Sequence, residues 1–289
     1  MKEEKIRFLF AHKIQRILSP RRTQEPTLPQ SAPFPFCLAS FVFHPDYNEP
    51  LRSVSIVIPA YNEERRLPGT LAAILSYLNS KDFAFREVVV VDDGSTDNTA
   101  RLVEACTDPC VRLVRNPGNR GKGYAVRNGV LNARGAWILV TDADLSAPIA
   151  DLDRLLEAAA QTGARIVIGS RALDPSLVTV HQPAAREYAG RVFNLVMHVV
   201  TGLPFKDTQC GFKLFEAEAA REIFSRQKID GFGFDVEALF IAKLRGLPTI
   251  EVPVHWANVE GTKVSFLRGL DAFLDLLRVR LRHMRGDYR

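Results

Sequence analysis

The rhythm of apolar positions changes near Ser53. From there, short unbroken apolar runs recur, each closed by a turn-forming or acidic residue. They are Val54–Ile58 before Pro59, Val88–Val91 before Asp92, Val111–Val114 before Asn116, Ala136–Thr141 before Asp142, and Arg165–Ile168 before Gly169. β-Rich runs of this length read as buried strands of a parallel sheet. Between them lie helical stretches, Glu64–Leu78, Thr96–Ala105, Lys122–Ala133 and Ala150–Ala160. Strand and helix alternate, which predicts an α/β, doubly wound, mostly parallel sheet flanked by helices. Such sheets bind ligands beyond the carboxyl ends of their strands, and Asp92, Asp93, Asp142 and Asp144 all fall there.

The rest of the chain is less regular. Helices are predicted over Arg186–Thr201, Phe234–Leu244 and Val264–Met284. The last places Phe266, Leu270, Phe273, Leu277 and Leu281 on one stripe and crowds Arg278, Arg280, Arg282 and Arg285 at its end, the composition of an interfacial helix. Ahead of Ser53, Lys5, Arg7, Lys13 and Arg16 interleave with apolar residues as in a basic amphipathic helix. A Pro-rich, extended or disordered stretch follows; an unstructured leader from an early start codon is the equal alternative. The pattern divides the chain into an N-terminal extension 1–52, a core 53–175, a less regular region 176–260 and a C-terminal basic amphipathic helix 261–289.

Composition adds two constraints. The hydrophobic fraction of 46% supports a globular core, and the net charge of +5 suits an anionic partner such as nucleic acid, a phosphorylated substrate or an anionic membrane. Cys37, Cys106, Cys110 and Cys210 form no C-x-x-C pair, which predicts reduced thiols in a cytosolic compartment. The longest N-terminal apolar run, Phe36–Phe43, is far short of the roughly 20 residues a bilayer requires.

Four motifs carry chemistry. In Thr141-Asp142-Ala143-Asp144, a strand end presents two carboxylates on one side. Such a pair repels itself unless a proton or cation intervenes, and hard oxygen ligands suit Mg²⁺ or Mn²⁺ bridging a diphosphate. The competing reading is a turn that caps the helix near Pro148. Asp92-Asp93-Gly94 offers acidic acceptors for a base or ribose, or a turn followed by a helix cap. After the first strand, Asn62 suits a cap of the following helix, Glu63 its positive end and Tyr61 the flank of a base. Asn119-Arg120-Gly121-Lys122-Gly123 fails as a P-loop, because Asn116 and Gly123 stand where Gly and Ser or Thr are required. It remains a cationic turn that can approach a phosphate. His181, His198 and His255 read as satisfied or exposed histidines.

IVIPAYNEE, VVVVDDGSTDNT, NRGKGYAVRNG and LVTDADLSAP, in this order and spacing, resemble the family 2 glycosyltransferases of GT-A fold. The segments GSRA, DTQCGFKLF, GFGFDVEAL and EVPVHWANVEGTKV are similar to those of dolichyl-phosphate β-glucosyltransferases. The resemblance implies a nucleotide-sugar-binding core at 53–175, an acceptor-side region at 176–260 and a C-terminal helical, membrane-facing region. It implies donor contacts at Pro59, Tyr61, Glu63, Asp92, Asp93, Lys122, Asp142, Ala143 and Asp144. The metal, Mg²⁺ or Mn²⁺, is expected at Asp142 and Asp144. Arg171, Arg186, Arg191 and Gln209 are expected at the acceptor, and Asp235 is the candidate base should the acceptor be a hydroxyl.

The implied reaction is inverting transfer of a hexose, glucose from UDP-glucose, to a polyprenyl phosphate. Alternatives are a polysaccharide or glycolipid hydroxyl acceptor, a GDP-mannose donor, and a non-catalytic nucleotide-sugar binder. The membrane span usual at the N-terminus of eukaryotic members is missing, so shorter polyprenyl phosphates are expected alongside dolichyl phosphate. The expected setting is the cytoplasmic face of a membrane, held peripherally, with self-association an option and nucleic acid not among the partners.

Overall fold

The computed structural model describes residues 52–180, 184–259 and 266–289, without the side chains of 184–189, 191–192 and 266–272. The amphipathic and Pro-rich readings of the N-terminal extension therefore lie outside the described residues, as do the side chains of Arg186 and Arg191.

Seven strands build the main sheet: β1 (Ser53–Ala60), β2 (Phe85–Asp92), β3 (Val111–Arg115), β4 (Trp137–Val140), β5 (Ile166–Ser170), β7 (Lys213–Glu216) and β8 (Thr249–Pro253), in the order β3-β2-β1-β4-β7-β5-β8. A small second sheet pairs β6 (Val178–Val180) with β9 (Trp256–Ala257). The helices are α1 (Leu67–Ser80), α2 (Thr99–Glu104), α3 (Lys122–Asn132), α4 (Leu152–Thr162), α5 (Ala184–Thr201), α6 (Ala217–Phe224), α7 (Phe234–Leu244) and α8 (Phe266–Arg285).

The five expected strands all run one way, as a doubly wound sheet requires. The unforeseen strand β7 runs against them, antiparallel to both β4 and β5. It escaped the sequence pattern because it is short and opens on a lysine. Lys213 is buried nonetheless, since Asp235 neutralises it at 2.6 Å. The central sheet thus draws on both the 53–175 and 176–260 segments.

Alternation along the strands feeds two apolar layers. Val57, Val89 and Val91 pack with α3, α6 and α7, and Ile56, Ile58, Val88 and Val90 pack with α1 and α4. Strand order reverses around β1, which lies between β2 and β4. That switch point opens a crevice at the carboxyl ends, where the site lies.

Two local expectations are corrected. The first helix begins at Leu67, beside Pro68, rather than at Glu64; residues 64–66 form a turn, with Glu64 N–H donating to Asp97 at 3.2 Å and Arg66 N–H to the Glu63 carbonyl at 3.1 Å. Asn62 does not cap that helix. It adopts a left-handed φ of 56°, and its Oδ1 accepts from Thr96 N–H at 2.8 Å, tying the loop after β1 to the loop after β2.

The stripe expected on the C-terminal helix is also redistributed. Phe273 packs edge-on against Phe193 of α5, with ring centroids 5.2 Å apart, and Leu276 and Val279 are buried. Leu277 and Leu281 face outward with Leu274 and Met284. The helix has apolar residues on two faces, so a single stripe could not represent it. Among the described residues, no helix is long and apolar enough to cross a membrane.

Candidate active site

The loops after β1 and β4, the start of α3, the Lys228–Phe232 loop and α8 enclose a cleft of about 790 Å³. Pro59, Tyr61, Glu63, Asp93, Lys122, Asp142, Ala143 and Asp144 all line it. Eight of the nine residues expected at the donor therefore meet in one place.

Asp142 follows β4 and pairs with Lys122 Nζ at 2.6 Å. Burial works against the Lys122 ammonium, but Asp142 and Asp235 outweigh it and hold its pKa above the ordinary value. Asp144 divides its two oxygens. Oδ1 accepts from Ser146 N–H and Oγ–H, each at 3.0 Å, while Oδ2 lies 3.9 Å from Arg66. One oxygen is thus engaged in the turn, which does not cap the helix near Pro148, and the other faces the cleft. Arg66 in turn forks onto Glu63 at 2.6 and 2.7 Å. Leu145 completes the turn with φ of 48°, a conformation that costs a non-glycine residue about 1–2 kcal/mol.

Among the described residues, no group of three or more His, Cys, Asp or Glu gathers as a metal cage. Two hard carboxylates facing an open cleft, each beside a side-chain cation, still fit Mg²⁺ or Mn²⁺. Those ions keep several coordination places for water and substrate phosphate oxygens.

The acidic pair after β2 has divided duties. Asp93 lines the cleft and accepts from Asn116 Nδ2 at 2.7 Å, Arg120 N–H at 3.1 Å and Gly121 N–H at 2.8 Å. The Asn119–Gly123 turn is thus wrapped around this carboxylate. Asp92 is buried, accepts from Ser95 N–H at 3.2 Å and lies outside the cleft lining, in the turn role. At the start of α3, Gly123 and Tyr124 N–H donate to the Asp230 carbonyl, which binds the Lys228–Phe232 loop to that helix.

The acceptor-side residues sit elsewhere. Asp235 is buried on Lys213, whose ammonium also donates to the Cys210 carbonyl. It borders a small void with Lys122, Asp142 and Gly211, beneath the cleft rather than in its wall. Burial raises its pKa more than Lys213 and Lys122 lower it. Arg171 forks onto Asp207 at 2.6 and 2.8 Å and stacks over Trp256. Burial pushes the Asp207 pKa up, but Arg171 outweighs it and the net shift is downward. Gln209 is exposed near this pair, its N–H bonded to Asp207. Arg186 and Arg191 lie on α5.

Among the described residues, Cys210, His198 and His255 offer no nucleophile to this arrangement, and His181 lies outside them. Burial pushes the buried Cys210 thiol up to about 12, so it stays protonated. His255 is held by Asp151 at 2.9 Å and His198 by the Leu203 carbonyl, both satisfied as expected. Sequence reasoning missed Arg66, Asp207, Asp275 and the inward aim of Arg278 and Arg282. The three-residue spacing of Glu63 and Arg66 was the one local signal.

Comparison with known proteins identifies the family. The model of glycosyl transferase family 2 matches residues 55–224. The chain is 36% identical over 254 residues to a dolichyl-phosphate beta-glucosyltransferase of Dictyostelium discoideum, covering 82% of this chain and 76% of that protein. It is 36% identical over 257 residues to the human dolichyl-phosphate beta-glucosyltransferase, covering 84% and 79%. The fold matches glucosyl-3-phosphoglycerate synthase of Mycobacterium tuberculosis, solved with Mn²⁺, UDP-glucose and phosphoglyceric acid. There the TM-score is 0.58 at 18% identity, over 79% of this chain and 80% of that one. It also matches mannosyl-3-phosphoglycerate synthase of Rubrobacter xylanophilus, with a TM-score of 0.60 at 19% identity over 81% and 74%. The fold is that of the GT-A neighbours, and the chain belongs to glycosyl transferase family 2, with a sequence resembling dolichyl-phosphate β-glucosyltransferases.

Proposed function

We propose that the protein transfers glucose from UDP-glucose to a polyprenyl phosphate, with inversion and with Mg²⁺ or Mn²⁺ held by Asp142 and Asp144. The observation that carries the reading is the Asp142–Asp144 turn opening into the same cleft as Tyr61, Glu63 and Asp93. The relatives' names support the acceptor class. The M. tuberculosis complex supports the donor and metal by analogy of fold.

The chemistry asks little of the protein beyond placement and charge. An acceptor phosphate oxygen attacks the anomeric carbon as the bond to the donor diphosphate breaks on the opposite face, so the product is inverted and UDP leaves. A bound divalent cation offsets the charge that develops on that leaving group. Lys122 adds a fixed positive charge beside Asp142. Tyr61, Glu63 and Asp93 hold the nucleoside end. An acceptor phosphate is anionic at neutral pH and needs no base. The burial of Asp235 on Lys213, outside the cleft, supports that acceptor over a hydroxyl.

The setting follows from the lipid. A polyprenyl tail does not leave the bilayer cheaply, so the enzyme works peripherally at the cytoplasmic face, with the outward apolar faces of α5 and α8 as contacts. The decisive experiment offers UDP-glucose, GDP-mannose and other donors with a polyprenyl phosphate and Mn²⁺, and identifies the lipid product by mass. Glucosyl-phosphoryl-polyprenol from UDP-glucose is expected. A clear preference for GDP-mannose overturns the donor, and transfer only to hydroxyl acceptors overturns the acceptor.

A further inference from the structure

The arginines of α8 divide between two directions. Arg278, itself exposed, and Arg282 line the cleft, whereas Arg280 and Arg285 lie outside its lining. A four-residue spacing puts the first two on one helix face, behind Asp275.

That face is fixed at both ends. Buried Asp275 accepts from Gly233 N–H at 3.2 Å, and a Cβ at Gly233 would stand 2.8 Å from Asp275 Cγ, so the Gly233 backbone packs directly on the Asp275 side chain. Beyond the helix, Tyr288 OH donates to Glu237 at 2.7 Å. Glu237 also accepts from Lys228 and Ile229 N–H, at the head of the loop that walls the cleft. Loop and helix are therefore tied together through Asp275 and Glu237, which places the arginines at the cleft.

Arg278 donates to Asp275 at 2.7 Å and Arg282 lies 3.7 Å from Asp287. A guanidinium carries five donors, so each keeps N–H groups for a ligand. Around the cleft, Glu63, Asp93, Asp142 and Asp144 stand with Arg66 and Lys122 on the sheet side, and Arg278 and Arg282 stand with Asp275 on α8. The donor diphosphate has its counter-charge on the sheet side, from Lys122 and the cation that Asp142 and Asp144 would hold. The α8 side awaits a second anion. Its outer face presents Leu277, Leu281 and Met284, the side from which a lipid would arrive. Arg171, forked onto Asp207 and stacked over Trp256, lies outside the cleft lining.

We infer that Arg278 and Arg282 form a phosphomonoester site that receives the head group of the lipid acceptor, an inference that rests on the acceptor class proposed above. The test uses the full chain and calorimetry with farnesyl phosphate, farnesol, inorganic phosphate, and UDP with Mn²⁺. Wild type is expected to bind farnesyl phosphate, farnesol not at all and inorganic phosphate far more weakly. The Arg278→Gln/Arg282→Gln variant is expected to lose farnesyl phosphate affinity by about tenfold or more while UDP affinity holds within about twofold. In turnover, KM for the acceptor rises while KM for the donor and kcat hold, a split that a general loss of structure does not produce. Unchanged farnesyl phosphate affinity overturns the site, and an equal loss for UDP reassigns the arginines to the donor. Inorganic phosphate binding as tightly as farnesyl phosphate reduces the site to a bare anion hole and overturns the acceptor assignment. A wild type that binds farnesyl phosphate through these arginines but transfers no sugar to it refutes the proposed reaction and leaves the site. A wild type that transfers, with the variant unaffected, does the reverse.

Discussion

The Asp142 carboxylate occupies the space that a side chain at Gly211 would need. A Cβ on Gly211 would stand 2.7 Å from Asp142 Cγ and closer still to Oδ2. Gly211 belongs to the turn that leads into β7, so the reversed strand and the Asp142–Asp144 turn are fitted to each other.

Gly211→Ala is therefore expected to displace Asp142 rather than unfold the protein. The φ of Gly211 is not in the left-handed region, so the backbone tolerates alanine and only the carboxylate must move. A shift of about 1 Å in a reacting constellation costs on the order of a hundredfold in rate. Mn²⁺ titration with UDP present, beside a thermal melt, checks this. Unchanged metal affinity in the folded variant rejects Asp142 as a ligand.

Asp144→Asn separates the two duties of that residue. The amide oxygen can still accept from Ser146, so the turn is kept. The charge facing the cleft is lost, and transfer is expected to fall by about a hundredfold to a thousandfold. Single-turnover assays at saturating donor measure it. Full activity of the wild type in excess chelator contradicts the metal assignment outright.

The strands that frame the cleft were legible because each is an apolar run ending in a polar turn, and because β1, β2 and β4 put Tyr61, Asp93 and Asp142 at one edge of the sheet. What stayed hidden depends on long-range pairing. Lys213 looks like a surface residue until Asp235, far along the chain, neutralises it within the sheet. Asp92 and Asp93 are adjacent in sequence and alternate in direction, so only the fold decides which one reaches the cleft. Arg278 and Arg282 read as part of a basic cluster, and their inward aim comes from Asp275 docking on Gly233.

Glu237 makes stability depend on pH. It is fully buried, and burial raises its pKa against the hydrogen bonds from Ile229 N–H, Tyr288 OH and Lys228 N–H. The folded carboxyl therefore keeps its proton to higher pH than the unfolded one. Between those two values the native state binds more protons, so this group's contribution to stability falls as pH rises. Glu237→Gln removes the titration and keeps an acceptor for the loop amides. Urea unfolding from pH 4.5, the ordinary glutamate value, up to neutrality is expected to show wild type losing ground to the variant. A stability difference that is flat across this range rejects the raised pKa.

Membrane docking is the last expectation, and its residues differ from those that periodicity alone selected. Phe273 is spent on Phe193, so the outward apolar residues are Leu274, Leu277, Leu281 and Met284 on α8, with Leu195 and Val199 on α5. Val199 is 79% and Met284 67% exposed, too open to be serving the core. Each buried CH₂ contributes about 0.8 kcal/mol, so even partial insertion of several such side chains gives measurable binding. Exposed Arg280 and Arg285 add about 1 kcal/mol each on an anionic surface, an attraction that salt screens. Flotation with liposomes of rising anionic content should show increasing recovery at low salt and less at high salt. Leu277→Gln/Leu281→Gln/Met284→Gln should reduce recovery sharply at every composition. These positions are surface sites, where such changes usually cost within about 0.5 kcal/mol of stability, so the variant should remain folded. It should also keep its affinity for UDP, because the cleft lining lies on the other face of the helix. Equal flotation of wild type and variant removes α8 as the docking face. Failure of the wild type to float on any liposome, combined with efficient transfer to a water-soluble acceptor, removes both the membrane setting and the polyprenyl-phosphate assignment.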